Sequence, residues 1–458
     1  MDTLLNYTTM SRAELLQLVA QQQVVIAEQQ AVTVELQRVV EGLQLRITGL
    51  EEQLNRKNGG GTGMPGNKPA DTRRTERKAE PPPRRPGVGR ERLAPTEVVQ
   101  HAVDVCPDCG IVLQGGWVQW TREVLELPLA PVQAVEHRFM ARECPRCGKR
   151  RVPAADLSQV AVGKQRFGVG VVSLIATLRE AGRLPIATIQ WLLETVYHLH
   201  LSRGGISEVL AGVARQAAPA VAAIRDQVRA SPVVHGDETG WRENGKNGYV
   251  WTFSTPTERY FVRRGRGKVV VDEVLGPDFQ GVLVSDFYAA YDHYAGQHQR
   301  CWAHLLREIH DLRRAYPDDT SLKTWAQAVR SVFDRGKVVT GAAKVRRQAH
   351  RRLTAALAAA CRPFCEDALA VQAKLCRRML KYLPELLTFV QHPAVPADNN
   401  PAERSLRHLV IHRKISGGTR SSQGTITTMT LASLFGTWRA RGLNPFLACR
   451  QLLTSPHF

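Results

Sequence analysis

The fold is decided by three neighbouring runs rich in β-branched and aromatic residues: Pro232-Val233-Val234-His235-Gly236-Asp237, Gly248-Tyr249-Val250-Trp251-Thr252-Phe253 and Arg259-Tyr260-Phe261-Val262. Turn residues separate the runs, which predicts an antiparallel meander of three strands. A helical stretch, Val269 to Leu275, then leads into a fourth apolar strand, Gly281-Val282-Leu283-Val284-Ser285. That crossover predicts parallel pairing, so the core belongs to the α/β kind.

Two aspartates lie on these strands. Asp237 ends the first run, and Asp286 directly follows the fourth. Because a right-handed crossover brings the end of one strand beside the next, we expect the two carboxylates to be neighbours. Such strand ends are where α/β sheets usually bind ligands.

A third acidic segment, Asp398-Asn399-Asn400-Pro401-Ala402-Glu403-Arg404, follows a long helical and basic stretch from Ala303 to Gln391. We expect it to open a helix with Asn400 as N-cap and Pro401 at the first helical position. Taken alone, Glu403 is explained by its favourable place at a helix N-terminus or by an i,i+4 pair with Arg407.

The charge of the chain contrasts with these acids. Its 62 Lys and Arg exceed 42 Asp and Glu, which gives a net charge of +20 and a pI near 10.0. This excess favours a nucleic-acid partner, with a merely soluble basic protein as the alternative. Since carboxylates repel phosphates, an acid cluster acting on nucleic acid indicates divalent cations, two of them about 3.5–4 Å apart in nucleases and polymerases.

A seven-residue repeat from Leu15 to Leu54 has apolar residues at nine of its twelve a and d positions. It predicts a coiled coil over residues 1–56 that forms a homodimer, with a single amphipathic helix as the alternative. Residues 57–96 read as a basic linker rich in Pro and Gly, whose cations can contact the DNA backbone.

Two C-x-x-C pairs in residues 97–160 predict one structural zinc ion with four sulfur ligands: Cys106, Cys109, Cys144 and Cys147. Free or redox-active cysteines are the alternative. The segment Trp117 to Leu127 between them is expected to be a strand. Nine cysteines, an odd number, do not indicate a disulfide framework.

Residues 161–230 show helical spacing. Ser202 is expected to cap a helix that, with the one before it, forms either a helix-turn-helix or an ordinary packed pair. In the first case Arg203 and Ser207 would contact DNA. The chain has no run of eighteen apolar residues and no secretory signal pattern, so we expect a cytoplasmic protein without a membrane segment.

The ordered acidic segments resemble those of bacterial insertion-sequence transposases of the insertion-sequence-sixty-six family, of DDE type. The resemblance rests on the following motifs: His235-Gly236-Asp237-Glu238-Thr239-Gly240-Trp241, Ser285-Asp286-Phe287-Tyr288, Cys301-Trp302-Ala303-His304-Leu305-Leu306-Arg307-Glu308, Asp398 to Arg404, and Arg413-Lys414-Ile415-Ser416-Gly417-Gly418. The zipper and the cysteine pairs follow the family's order too, so the resemblance covers nearly the whole chain.

The resemblance implies a multidomain α+β protein with a ribonuclease-H-like catalytic domain. That domain is expected at 231–424 with a helical insertion at about 305–392, followed by a C-terminal helical segment at 425–458. Asp237, Asp286 and Glu403 would be the catalytic acids and would bind two Mg²⁺ ions, for which Mn²⁺ can substitute. The enzyme would cut the element ends and join the 3′ hydroxyls to target DNA.

The partners implied are double-stranded DNA, a second copy of the chain or a higher oligomer, and helper proteins. DNA contacts are expected from Arg404, Arg407, Arg413 and Lys414. Some related transposases carry a basic residue seven positions after the glutamate, but Val410 stands there in this chain. A silent DNA-binding regulator and a nuclease without strand transfer are the alternative functions.

Several other residues have structural interpretations. Cys301 and His304 are expected to support the site, because C-x-x-H without a second pair is a weak metal motif. Glu238 should point away from Asp237 on the strand. Three other acids are alternatives to the assigned catalytic acids: Asp292, Glu308 and Asp311. The tryptophans expected in the core are Trp241, Trp251 and Trp302.

Overall fold

The computed structural model of the chain describes residues 94–455 apart from 123, 126–131, 155, 162–165 and 368, together with 11–13, 17, 20–23 and 29–30. Residues 57–93 of the predicted linker and most of the predicted coiled coil lie outside the described residues. Both therefore stay predictions. The described residues divide into two units, Leu50–Pro131 and Met1–Gly49 with Val132–Phe458.

In the unit Leu50–Pro131, the first cysteine pair lies in a tight turn between bridged Val105 and Val112. The strand expected from Trp117 to Leu127 is absent from the described part of that segment. Trp117 is 85% exposed and Trp120 is 76% exposed. The prediction was wrong there because strand-forming residues give a stable strand only where a face of the strand is covered.

In the other unit, the second cysteine pair lies between strands β1 (Arg142–Glu143) and β2 (Arg150–Arg151), which pair antiparallel. Three helices follow: α1 (Val169–Glu180), α2 (Ile186–Tyr197) and α3 (Arg203–Ala230). The helical spacing of this region is therefore confirmed.

The central sheet has five strands in the order β5-β4-β3-β6-β7: β3 (Val233–Glu243), β4 (Lys246–Ser254), β5 (Arg259–Arg264), β6 (Val282–Ser285) and β7 (His298–Arg300). Strands β3, β4 and β5 form the antiparallel meander, and β6 pairs parallel with β3. Helix α4 (Val269–Leu275) makes the crossover. The meander, the crossover and the parallel pairing were all predicted.

Strand β7 was not predicted, because its three residues, His298, Gln299 and Arg300, are polar. All three are buried. The Arg300 guanidinium donates to Asp292 at 2.6 Å and to Glu385 at 2.5 Å. These partners compensate the buried charge, which allows a polar strand inside the protein.

The alternation of β3 builds two apolar layers. Val234 packs with Trp251 and the residues of α4 on one face, whereas Trp241 packs with Leu409 on the other. Trp241 is 1% exposed, and Trp251 and Trp302 are fully buried, so the prediction that they belong to the core is confirmed.

The region after β7 is helical, with α5 (Trp302–Ala315), α6 (Thr320–Lys337), α7 (Ala343–Cys365), α8 (Ala373–Lys381), α9 (Leu383–Leu386) and α10 (Thr388–Gln391). These helices share a core in which the Trp302 and Phe333 rings lie 4.9 Å apart between centroids. In the sequence, these helices come between β7 and the helix that carries Glu403.

Three helices complete the described chain: α11 (Asn400–Ser416), α12 (Ser422–Ala440) and α13 (Pro445–Thr454). Helix α12 packs on β5, where the Phe261 N–H donates to the Ser433 hydroxyl at 2.9 Å. The predicted boundary between the catalytic domain (231–424) and the C-terminal segment (425–458) therefore falls inside α12. Within the described residues, no helix is both long enough and apolar enough to cross a membrane.

Candidate active site

Asp237 and Asp286 occupy equivalent positions on neighbouring parallel strands. His235 of β3 pairs with Val284 of β6, and each aspartate lies two residues further along its own strand. Strand β6 ends at Ser285, so Asp286 is the first residue beyond it. Parallel pairing therefore brings the two carboxyl groups to one edge of the sheet, as predicted.

Glu403 comes from the first turn of α11, which is fastened to β3 near its N-terminus by Asn399. The buried Asn399 amide donates to the Gly236 carbonyl at 2.7 Å, and its oxygen lies 3.0 Å from Nδ1 of His235. The Asn399 N–H donates to the Cys301 sulfur at 3.1 Å. One side chain thus joins the strand of Asp237 to the helix of Glu403.

The helix is fastened at its other end by Arg413. Its guanidinium donates to the Thr239 hydroxyl at 3.1 Å and to the Gly240 carbonyl. Because both ends of α11 are bound to β3, the position of Glu403 over the strand is fixed by hydrogen bonds.

The prediction of Asn400 as the N-cap of α11 was wrong by one residue. Asn399 is the N-cap of α11, and its side chain bonds to β3 rather than to the helix. Asp398 performs the local role instead, since its carboxylate accepts from the Asn400 N–H at 3.1 Å. The tertiary contact of Asn399 outcompetes the local cap.

The electrostatics of the site centre on Asp237. Burial, with the charges of Asp286, Glu238 and Glu403, raises its pKa to about 8, against one hydrogen bond from the Glu238 N–H. Within the described residues neither Asp237 nor Asp286 forms an ion pair. A half-buried carboxyl group among acids must hold a proton or share a cation.

Glu238 faces the other side of β3, as predicted. Its carboxylate accepts from the Tyr291 hydroxyl at 2.9 Å and from Arg266 at 3.2 Å. Burial raises its pKa, and the charge of Asp286 acts in the same direction. Glu238 is thus a fourth acid beside the cluster, held by its own partners.

Cys301 and His304 lie at the start of α5, next to Glu403. The Cys301 sulfur, a His304 ring nitrogen and a Glu403 carboxylate oxygen lie within 4.8 Å of one another. His304 Nδ1 and Glu403 Oε1, 3.8 Å apart, are both buried without a hydrogen-bond partner. The sequence missed this group because its third member lies about a hundred residues away.

The rival acids Asp292 and Glu308 have partners of their own. Asp292 accepts from Arg300, Lys381 and Tyr382, while Glu308 pairs with Arg378 at 2.7 Å. Their charges are compensated, unlike that of Asp286.

The expected DNA-binding residues lie in different surroundings. Arg404, Arg407 and Lys414 are exposed on α11, whereas Arg413 is half-buried in its bonds to β3. On α3, Arg203 donates to Gln190 at 3.2 Å, and the Ser207 hydroxyl donates to a carbonyl of its own helix. Both α3 residues are exposed.

Each cysteine pair forms the same local turn. In the first, Gly110 donates to the Cys106 carbonyl at 2.9 Å, and in the second Gly148 donates to the Cys144 carbonyl at 2.8 Å. Both glycines have positive φ, +73° and +65°. Backbone N–H groups of each turn, led by Asp108 in the first and Cys147 in the second, lower the pKa of Cys106 and Cys144. Such turns favour thiolates, the form that binds metal.

The sequence of the chain matches known proteins over the same region. Residues 164–426, more than half of the chain, match the family described as Transposase IS66 family. Two relatives from Sinorhizobium fredii are the uncharacterized protein y4jO, 30% identical over 169 residues, and the uncharacterized protein y4qI, 28% identical over 223 residues. The first alignment covers 36% of this chain and 49% of the relative, and the second covers 44% and 40%. The chain thus spans less than half the length of each relative.

The central mixed sheet with its surrounding helices gives the chain a mixed α/β fold. By its family match, the chain belongs to the Transposase IS66 family.

Proposed function

We propose that this chain is a DDE-type DNA transposase that cuts the ends of an insertion sequence and joins the 3′ hydroxyls to target DNA. The observation that carries the proposal is the matched register of Asp237 and Asp286 on parallel strands, with Glu403 fastened over them. A ribonuclease-H-like core is supported by the strand order, in which an antiparallel meander is extended by two parallel strands beyond its first strand.

The residues present fit divalent cations. Asp237, Asp286 and Glu403 offer carboxylate oxygens, the ligands that Mg²⁺ prefers. The Glu403 Oε1 atom is buried without a hydrogen-bond partner, and burial together with the neighbouring carboxylates raises the pKa of Asp237. We therefore assign these three acids as the ligands of two Mg²⁺ ions, which Mn²⁺ can replace. When bound, the ions supply activation of the attacking oxygen and stabilisation of the leaving oxygen of a phosphodiester.

The protein's own groups orient the acids. Asn399 and Arg413 hold α11 on β3, and the Tyr288 N–H donates to the Asp286 carboxylate at 2.9 Å. Asp237 must give up the proton that its raised pKa favours before its second oxygen can serve as a ligand. Near neutral pH, assembly of the site therefore releases a proton.

Cys301 and His304 are assigned a supporting role beside Glu403. Burial raises the pKa of Cys301, so its sulfur stays a protonated thiol that accepts from the Asn399 N–H. The His304 ring places a nitrogen 3.8 Å from the Glu403 carboxylate. Their sulfur and nitrogen donors suit Zn²⁺ better than Mg²⁺, which favours the carboxylates as the magnesium ligands.

DNA is held by exposed cations and by modules outside the sheet. We assign Arg404, Arg407 and Lys414 on α11 to phosphates, because they share the helix of Glu403 and are exposed. Arg203 and Ser207 remain candidates at the start of α3. Double-stranded element ends and target DNA are the proposed ligands, with helper proteins and a dimer through the N-terminal repeat as proposed partners.

The cysteine pairs are proposed to share one structural zinc ion, as their spacing predicts. The two matching turns with thiols of lowered pKa support zinc over free cysteines. Four sulfur ligands would leave no position open for catalysis, so this ion would stabilise the fold of the module.

Incubation of the purified protein with Mg²⁺, an element-end duplex and a target plasmid tests the proposal. Joined products are expected. Cleavage without joining would establish a nuclease, and binding without cleavage a silent regulator; either result overturns the proposal. The same reaction with EDTA is the control and should give no product.

A further inference from the structure

Four arginines from four different parts of the chain line one cavity. Arg183 follows α1, Arg259 begins β5, Arg404 lies in the first turns of α11 and Arg439 lies near the end of α12. The cavity has a volume of about 270 Å³ and is also lined by Pro401, Ser405, His408 and Gly436 among others. Such a volume is slightly below the roughly 300–1,000 Å³ of small-molecule pockets.

The positive charge of this cavity is only partly compensated by the protein: Glu258 attracts Arg259 and Glu180 attracts Arg439. The side chains of Arg183 and Arg404 make no hydrogen bond or ion pair with any described residue. The two nearby acids are already engaged: Glu258 accepts two bonds of 2.9 Å from Arg441, and Glu180 lies 3.7 Å from His408.

The arginines also act on one another. Burial lowers the pKa of Arg259 against the attraction of Glu258, and the charges of Arg404 and Arg439 lower it further. Burial likewise lowers the pKa of Arg439, with the charge of Arg183 acting in the same direction. Mutual repulsion of this kind is relieved when an anion binds between the guanidinium groups.

Two further features fix the shape of the cavity. The Arg259 guanidinium donates to the carbonyl groups of Thr255 and Glu258, which holds it in place. Gly436 lies inside α12, where glycine costs helix stability. A Cβ at Gly436 would lie 3.1 Å from the Cβ of Arg259. The glycine therefore leaves room for the arginine stem.

The cavity adjoins the acid cluster along α11. Pro401, Arg404, Ser405 and His408 follow the spacing of one helix face, since Arg404 and Ser405 lie three and four residues after Pro401 and His408 lies four and three residues after them. Glu403, next to Arg404 in sequence, belongs to the neighbouring face beside Asp237. The cavity and Glu403 therefore lie on adjacent faces of the first turns of α11.

We infer that Arg183, Arg259, Arg404 and Arg439 form an anion pocket that binds a backbone phosphate of the DNA strand held at the acid cluster. This inference rests on the proposed function, because it takes DNA as the ligand. Guanidinium groups are the preferred side chains for phosphate, and convergence from four elements gives a rigid, preorganised site.

The first test measures DNA affinity as a function of salt for the wild type, Arg183→Gln/Arg404→Gln and the control Arg335→Gln/Arg347→Gln. The control removes the same charge from exposed positions on α6 and α7. The pocket variant is expected to lose about one unit from the slope of log affinity against log salt, the effect of one phosphate contact. An unchanged slope, or an equal loss in the control, would overturn the pocket.

The second test uses inorganic phosphate alone and separates the pocket from the proposed function. Phosphate should raise the melting temperature of the wild type and the control above that in chloride at equal ionic strength, and should not do so for the pocket variant. If phosphate stabilises the wild type in this way but the wild type binds no DNA, the anion pocket is supported and the proposed function is overturned. Loss of the phosphate effect with an unchanged DNA slope would overturn DNA as the ligand.

A third comparison uses duplexes with and without a 5′ phosphate. If Arg183→Gln/Arg404→Gln loses the same amount from the slope of log affinity against log salt on both duplexes, a backbone phosphate is supported as the ligand. A loss confined to the phosphorylated duplex overturns the backbone assignment in favour of a strand end.

Discussion

Asp237 is an acid whose surroundings all disfavour its charge. Burial and the carboxylates of Asp286, Glu238 and Glu403 together raise its pKa to about 8. The proposed phosphodiester substrate requires that cations enter with it, because carboxylates and phosphates repel each other. The raised pKa therefore supports a cation site at this residue.

Asp237→Asn is expected to abolish strand cleavage while DNA affinity stays equal or rises. Loss of one preorganised ligand of the transition state costs about two to three orders of magnitude in rate or more, and removal of a negative charge does not weaken attraction to phosphate. Asp286→Asn and Glu403→Gln should behave alike. Cleavage assays and gel shifts measure both effects, with the exposed Asp311→Asn as a control outside the cluster; full activity of the Asp237 variant refutes the assignment.

His412 is a second residue with a shifted pKa. Burial, with the charge of Arg179, which donates to its ring, lowers its pKa to about 4 against the attraction of Glu180. His408 on the same helix also carries a repelling charge when protonated, and the Trp241 ring packs edge-on at 5.8 Å. The folded protein therefore holds His412 neutral.

A histidine of lowered pKa makes the protein labile to acid. Below pH 6.5 the unfolded chain takes up a proton that folded His412 refuses until about pH 4, so stability falls as the pH drops through this window. The contribution is up to about 3 kcal/mol. His412→Gln should flatten the dependence of the free energy of unfolding on pH between 6.5 and 4. His235, whose pKa burial also lowers to about 4, keeps part of the slope. An unchanged slope would contradict the prediction.

At the scale of elements, the contact between α11 and β3 assembles the site. Neither the helix nor the strand contains all three acids, and the buried side chain of Asn399 bridges them through Gly236 and His235. Amide groups with two fixed partners orient a helix more strongly than apolar packing, because hydrogen bonds are directional.

Asn399→Ala should lower the free energy of unfolding by about 1–3 kcal/mol, since it leaves a buried carbonyl and a ring nitrogen without partners. It should also reduce cleavage by loosening Glu403. The neighbouring Asn400→Ala is the matched control, because the side chain of Asn400 makes no such bridge. Denaturant unfolding measures the difference, and equal effects of the two variants would count against the bridge.

The cysteine turns are elements whose stability should come from metal. Cys109→Ser should release zinc and unfold the module, because the ion replaces the core that so small a segment lacks. Metal analysis should find about one zinc per wild-type chain and none in the variant, while Cys365→Ser, a half-buried residue of α7, keeps it. The absence of zinc from the wild type would contradict the prediction.

At the scale of the whole molecule, we expect the net charge of +20 to govern the proposed DNA binding beyond any single contact. A protein that neutralises about six to ten phosphates loses about 10³–10⁵-fold in affinity between 50 and 200 mM salt. We expect a loss of this size for any duplex, with element ends bound more tightly at every salt concentration. Gel shifts over that range measure it, and an affinity independent of salt would exclude a dominant role for phosphate contacts.

The sequence by itself determined strands β3 to β6 of the sheet and indicated three acids as the candidate site. Strands β3 to β6 and the crossover helix α4 were predictable, because alternating apolar residues, turn residues and strand-end aspartates are local signals. Asp237, Asp286 and Glu403 were named from such signals and from the family resemblance. The strand expected at Trp117 shows the limit of this approach, since a pattern does not reveal whether its face will be covered.

Only the tertiary structure decided the contacts between distant segments. The polar strand β7, the bridge from Asn399, the grouping of Cys301 and His304 with Glu403, and the four-arginine cavity all join residues far apart in sequence. Their energies come from burial and from partners that no local pattern specifies. A buried charge or amide is stable only once its partner has been brought to it by the fold.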